Sequence, residues 1–231
     1  MINVRKSSER GHVRDAWLES YHTFSFASYY DPQHMGFRSL RVINEDRVQP
    51  GAGFPLHPHR DMEILTVVLS GRLQHADDHG GEAIIGPGEV QLISAGRGIR
   101  HSESNPSATE PVHLLQIWLL PARPGLPPNY SMARIPAQQS EVLTCLAAGV
   151  EGEGALLLHQ DAAVLAGRLQ AAGAASYPLA AGRHAWLQLI SGDLTVNGIA
   201  LQTGDGAAAS DEKELALSSR SGAHFLLFDM A

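Results

Sequence analysis

From residue 40 onward, short apolar runs alternate with turn residues. Stretches 40–44, 63–69, 72–76, 90–94, 99–103 and 112–120 each read as a strand. Gly51-Ala52-Gly53, Ser70-Gly71, Pro87-Gly88 and Ala95-Gly96-Arg97-Gly98 are the breaks between them. Glycine supplies positive φ at a turn, and proline lacks the N–H a ladder needs. Turn signals at this density predict an all-β sandwich or barrel, with few short helices. Residues 56–59 carry Pro58 inside, which predicts a sheet edge or a barrel rim. Near the start, 2–4 reads as a short strand. In 21–26, Tyr21, Thr23 and Ser25 alternate with His22, Phe24 and Phe26. That face either caps a barrel mouth or sets His22 and the phenylalanines along a ligand pocket.

The second half repeats the first weakly. Residues 186–196 resemble 65–74, with Ser191-Gly192 falling on Ser70-Gly71, and 223–228 resemble 112–117. A repeated unit of this size predicts two stacked β-barrels of jelly-roll type. The expected division is 1–130 and 131–231, with the proline-rich stretch 120–130 as a stiff linker leaving the first half.

Composition narrows the function classes. The chain has 231 residues, 44% hydrophobic and 18% charged, an ordinary globular balance. A net charge of −7 without a basic block argues against direct nucleic-acid binding. No run approaches the roughly 20 apolar residues of a membrane helix, so no membrane role is expected. The start lacks a signal-like apolar stretch, and the single cysteine, Cys145, reads as a small apolar core residue. These features predict a cytoplasmic protein.

The candidate chemistry lies in two short segments. His57 and His59 are one residue apart, and so are His101 and Glu103. In a strand, residues i and i+2 share a face, so two such pairs on neighbouring strands would aim three imidazoles and a carboxylate into one space. That donor set suits a divalent transition metal and leaves positions open on one that prefers five or six ligands. Setting Ser191-Gly192 on Ser70-Gly71 places Pro178 and Ala180 where His57 and His59 stand. One metal, in the first half, is the expectation. His75, His79, His113, His159 and His224 lack such partners and read as surface or core residues.

Gly51-x5-His57-x-His59-x3-Glu63 resembles the first motif of the cupin superfamily. The second cupin motif is damaged, with Gln91 where a histidine would stand. Residues 94–103, together with His57-Pro58-His59 and the opening Arg10-Gly11-His12…Trp17-Leu18…Tyr21-His22-Thr23-Phe24-Ser25-Phe26, resemble the pirin family of bicupins. The resemblance implies metal ligation by His57, His59, His101 and Glu103. Iron(II) is the metal it points to first, with copper, nickel, cobalt, manganese or zinc as others. Glu63 and Gln91 then support the site instead of ligating.

Bacterial relatives of this length resemble quercetin 2,3-dioxygenases. The implied reaction opens the heterocycle of a flavonol such as quercetin with O2 and releases carbon monoxide. Glu103 would take the 3-hydroxyl proton. Phe24, Phe26 and Phe37 would offer a flat aromatic edge. The alternative is a metal-dependent redox-sensing regulatory protein with a protein partner.

Overall fold

The computed structural model describes residues 1–135, 142–150, 152 and 154–231. Strands make up nearly all regular structure among them, and the few short helices expected reduce to one 3-10 turn, Ser7–Glu9. No helix among the described residues is long and apolar enough to cross a membrane. The chain forms two compact units: residues 11–135 with 158–160, and residues 1–10 and 161–231 with the described part of 136–157.

The proline-rich stretch does not lead out of the first unit. Gly125 N donates to Asp61 Oδ1 at 2.6 Å, and Arg97 N donates to Leu126 O at 2.8 Å. Asn129–Arg134 then pairs antiparallel with Glu89–Ser94, covering what would otherwise be an open sheet edge. At the other end of the chain, Ile2–Arg5 pairs antiparallel with Gly206–Ser210, inside the second unit.

Two antiparallel sheets build the first unit. The seven-stranded sheet runs Asn129–Arg134, Glu89–Ser94, Glu63–Ser70, Val112–Leu119, Leu40–Val48, Leu18–His22, Gly11–Arg14. The four-stranded sheet runs Gly53–His59, Ile99–Ser104, Leu73–Asp77, Glu82–Ile85. The strand carrying Pro58 is the edge strand of that sheet, as the missing N–H requires. In Ile99–Ser104, Ile99, His101 and Glu103 are buried while Arg100, Ser102 and Ser104 are more exposed, the two-residue alternation of a half-buried strand.

Two clusters of apolar side chains pack within this unit. Val48, Val68, Leu73, Ile85, Val112 and Leu114 form one cluster, and Ile64, Ile93, Ala95 and Ile99 another. Many other buried positions are polar: Asn44, Asp46, Thr66, His75, Gln91, His101 and Glu103. Buried polar atoms are costly unless hydrogen-bonded, so this interior has to be a network.

The second unit contrasts with it. Its main core cluster is aliphatic and aromatic, built from Leu187, Leu189, Leu194, Val196, Leu215, Leu217, Phe225, Leu227 and their neighbours. Among the described residues, neither group of potential metal ligands falls in this unit.

Candidate metal centre

His57 and His59 sit on the edge strand Gly53–His59, and His101 and Glu103 on its neighbour Ile99–Ser104. The antiparallel register sets His101 opposite His57 on one side and opposite Asp77 on the other. Glu103 stands opposite His75. The His57 side carries a register shift between His101 and Glu103, a bulge of the kind that re-aims a side chain.

Period-2 geometry brings the imidazoles together. Ligand atoms of His57, His59 and His101 lie within 4.8 Å of one another, and ring centroids are 4.5 to 4.8 Å apart. Glu103 groups at the same spacing with His101 and His75. His101 belongs to both groups, while Glu103 is grouped with neither His57 nor His59.

Hydrogen bonds fix which nitrogens face the cluster. His57 Nδ1 lies 2.7 Å from Pro55 O. A carbonyl only accepts, so Nδ1 carries the proton and Nε2 keeps its lone pair. His101 Nε2 is buried and has no hydrogen-bond partner. Leaving such an atom bare costs about 1–3 kcal/mol, and a cation would relieve it. Burial, and then the neighbouring imidazoles, hold His59 down at about 4 and His101 at about 3. Both rings are neutral near pH 7, the form that binds metal. The residues thus fit a divalent transition metal.

Glu103 is held from both sides. Gln91 Nε2 donates to its Oε1 and Gln116 Nε2 to its Oε2, each at 2.7 Å. Thr66 Oγ1 bridges the two amides, accepting from Gln91 Nε2 at 3.1 Å and donating to Gln116 Oε1 at 2.8 Å. Tyr130 Oη donates to Gln91 Oε1 at 3.1 Å. Burial pushes Glu103 up to about 7, against the pull of the two amides and with help from the nearby Asp46. A buried carboxylate poised near neutrality suits general base work.

Other residues have other tasks. Glu63 is buried and accepts from Ser94 Oγ at 2.9 Å and from His159 N at 3.2 Å. It joins no metal-like group among the described residues. His113 pairs with Glu45 at 3.0 Å, and His79 is exposed. Burial holds His224 down at about 4. Cys145 is half-buried, with Sγ toward Ala147 O.

Of the aromatic set, His22 is buried with Nδ1 2.8 Å from Asn44 Oδ1, and Phe24 is core. Phe37 sits in an isolated bridge with Leu40. Phe26 meets Trp118 edge-on at 5.3 Å, and Trp118 meets His59 at 4.8 Å.

Sequence reasoning missed five residues: His75, Thr66, Gln116, Trp118 and Tyr130. His75-x-Asp77 is a third i, i+2 pair of ligand-type residues, and Thr66 and Gln116 are polar positions inside apolar strands. Those patterns were the available signals.

Two β units, one with imidazoles gathered beside a buried carboxylate and one with an apolar interior, define the two-cupin class. The chain belongs to the pirin family: the family model described as Pirin matches residues 3–119, and one described as Quercetinase C-terminal cupin domain matches residues 145–230. Across 100% of this chain and 99% of the relative it is 45% identical to a quercetin 2,3-dioxygenase of Escherichia coli K12. Crystal structures of the E. coli protein YhhW superpose with a TM-score of 0.97 at 44% identity, covering 100% of this chain and 98% of that one. The structure of bacterial pirin YhhW in complex with nickel(II) superposes at 0.95 and 44%, covering 100% and 99%.

Proposed function

We propose that this chain is a metal-dependent dioxygenase of the quercetin 2,3-dioxygenase type, with a flavonol and O2 as substrates. His57, His59, His101 and Glu103 are the ligands in this reading, with iron(II) first and nickel, copper, cobalt, manganese or zinc as other occupants. The observation that carries it is the meeting of the His57, His59 and His101 imidazoles on two neighbouring strands, with the buried Glu103 carboxylate beside His101. A divalent metal bound there supplies a Lewis acid for the flavonol 3-oxygen and access to one-electron chemistry with O2.

The chain does the rest. Glu103, held by Gln91 and Gln116, takes the 3-hydroxyl proton. Trp118 and Phe26 form an aromatic wall beside His59, against which a flat ring system can lie. The lone cysteine is in keeping with a cytoplasmic setting, which belongs to the same proposal. Likeness to the full-length E. coli dioxygenase supports the substrate class.

The test is an aerobic assay with quercetin on iron-, nickel-, copper- and manganese-loaded protein, with gas-phase detection of carbon monoxide. At least one form should release it in proportion to flavonol consumed. No carbon monoxide from any form, with no spectral response to quercetin under anaerobic conditions, would remove the dioxygenase reading and put the regulatory one ahead.

A further inference from the structure

The His101 ring lies among three other imidazoles, with centroids 4.5 Å from His57, 4.8 Å from His59 and 5.3 Å from His75. Its Nδ1 lies 3.4 Å from His75 Nδ1, and His75 Nε2 lies 2.9 Å from Asp77 Oδ2. Both His75 and Asp77 are fully buried, at 0% and 1% side-chain exposure. The three side chains form a chain of contacts from a carboxylate through one imidazole to a second.

The proton positions along that chain of contacts follow from donor rules. A carboxylate accepts only, so His75 Nε2 carries its proton. The Nδ1 of a neutral His75 is then an acceptor. His101 Nδ1 must donate to it, which leaves His101 Nε2 with a lone pair. That is the atom with no protein partner.

Asp77 is itself fixed. Its Oδ1 accepts from His79 N and Gly81 N, both at 2.9 Å. A Cβ on Gly81 would stand 2.3 Å from Asp77 Oδ2, so the turn closes on the carboxylate only with glycine there. The His75 ring is stacked on Tyr130, centroids 4.3 Å apart and planes 15° apart.

We propose that Asp77 and His75 are a positioning relay that sets the tautomer of His101 and so aims its Nε2 lone pair at the metal. This rests on the metal reading given above. The same chain of contacts bears on the second group of potential ligands, His75 with His101 and Glu103. Both nitrogens of His75 are engaged, one by Asp77 and one by His101. His75 therefore has no lone pair left for an ion, and it is a support and not a fourth imidazole ligand. Outer partners of this kind orient ligating histidines in metal sites generally.

Asp77→Asn is the informative variant, because the turn dictates how the new amide sits. His79 N and Gly81 N both need an acceptor, so the amide oxygen stays at the Oδ1 position and the NH2 faces His75. His75 Nε2 must then accept, its proton moves to Nδ1, and His101 Nδ1 must accept in turn. His101 Nε2 becomes protonated and closed to metal. An Asp-to-Asn change behind a histidine is known to preserve geometry while imposing the wrong tautomer.

The experiment has two parts. The first is nitrogen-15 NMR of the histidine rings in metal-free wild type and Asp77→Asn. Wild type should show His101 protonated at Nδ1 and bare at Nε2, and the variant should show the reverse. The second is titration of each with nickel(II). The variant should bind about 10–100-fold more weakly, the usual range for an outer-partner change. Its chemical-shift dispersion should remain that of a folded protein.

A wild-type His101 protonated at Nε2 would overturn the relay, whatever the variant does. So would a variant with inverted tautomer and unchanged nickel affinity. Loss of nickel binding with an unchanged His101 tautomer would mark a role other than the relay. A wild type that shows the expected tautomer and binds no metal would instead strike at the metal reading, so the two failures are distinguishable.

Discussion

Asp46 and Glu103 are buried carboxylates, and they pose opposite problems for substitution. Asp46 is 4% exposed, with Ser20 Oγ donating to it, and burial raises it from 3.8 to about 6. The folded state therefore keeps a proton that the unfolded chain has already released. Stability from this group is full below about pH 4 and falls as pH rises through about 6. Beyond that the penalty is constant, at most about 3 kcal/mol from a shift of roughly two units. Asp46→Asn keeps an acceptor for Ser20 and removes the charge. We expect a higher melting temperature than wild type at pH 8 and little difference at pH 4, read by thermal scans at both. An equal shift at the two pH values would show that desolvation is not the cause. Glu103→Gln is harsher. Both carboxylate oxygens accept amide protons, so the new NH2 must face a donor. We expect a loss of about 1–3 kcal/mol from that conflict. Flavonol turnover should fall about 10²–10⁴-fold, as on losing a general base, while metal is partly retained by the imidazoles. Metal-replete Glu103→Gln with wild-type turnover would take Glu103 out of the reaction.

At the scale of elements, the strand Ile99–Ser104 does the organising, and Gly53 is where it is most vulnerable. A Cβ on Gly53 would stand 2.2 Å from Glu103 O, at the bulge between the two site strands. Gly53→Ala must push the edge strand outward and carry His57 and His59 with it. We expect weaker metal binding by at least about tenfold together with a lower melting temperature. Unchanged metal affinity would show that the edge strand does not set the imidazole spacing. Much of this element was legible from the sequence. His57-Pro58-His59 and His101-Ser102-Glu103 announce themselves because strand alternation makes i and i+2 neighbours, and Pro58 marks the edge. The supports were harder to see. Gln91 pairs with Gln116 through Thr66, from three strands, and only the sheet order brings them together. Asn129–Arg134 follows a proline-rich stretch and has no fully buried position, so nothing local says that it completes a sheet.

For the molecule as a whole, one repeated architecture has been given two interiors. The unit of residues 11–135 and 158–160 buries a connected polar network around the imidazoles. The other has a main core cluster of leucine, valine, alanine and phenylalanine, and neither group of potential metal ligands among the described residues lies in it. A metal site needs donors already in place, so the asymmetry predicts one ion per chain. The repeat was readable in the sequence because turn and strand signals recur, and the same alignment sets Pro178 and Ala180 where His57 and His59 stand. The placement of Ile2–Arg5 beside Gly206–Ser210 was not, since strand pairing over that separation leaves no local trace. The most direct test is metal stoichiometry. Metal-free protein should be titrated with nickel(II) and with iron(II) under anaerobic conditions, alongside a His57→Ala/His59→Ala double variant. The account predicts one equivalent bound tightly by wild type and none by the folded double variant. Two equivalents in wild type, or one equivalent undiminished in the double variant, would contradict it.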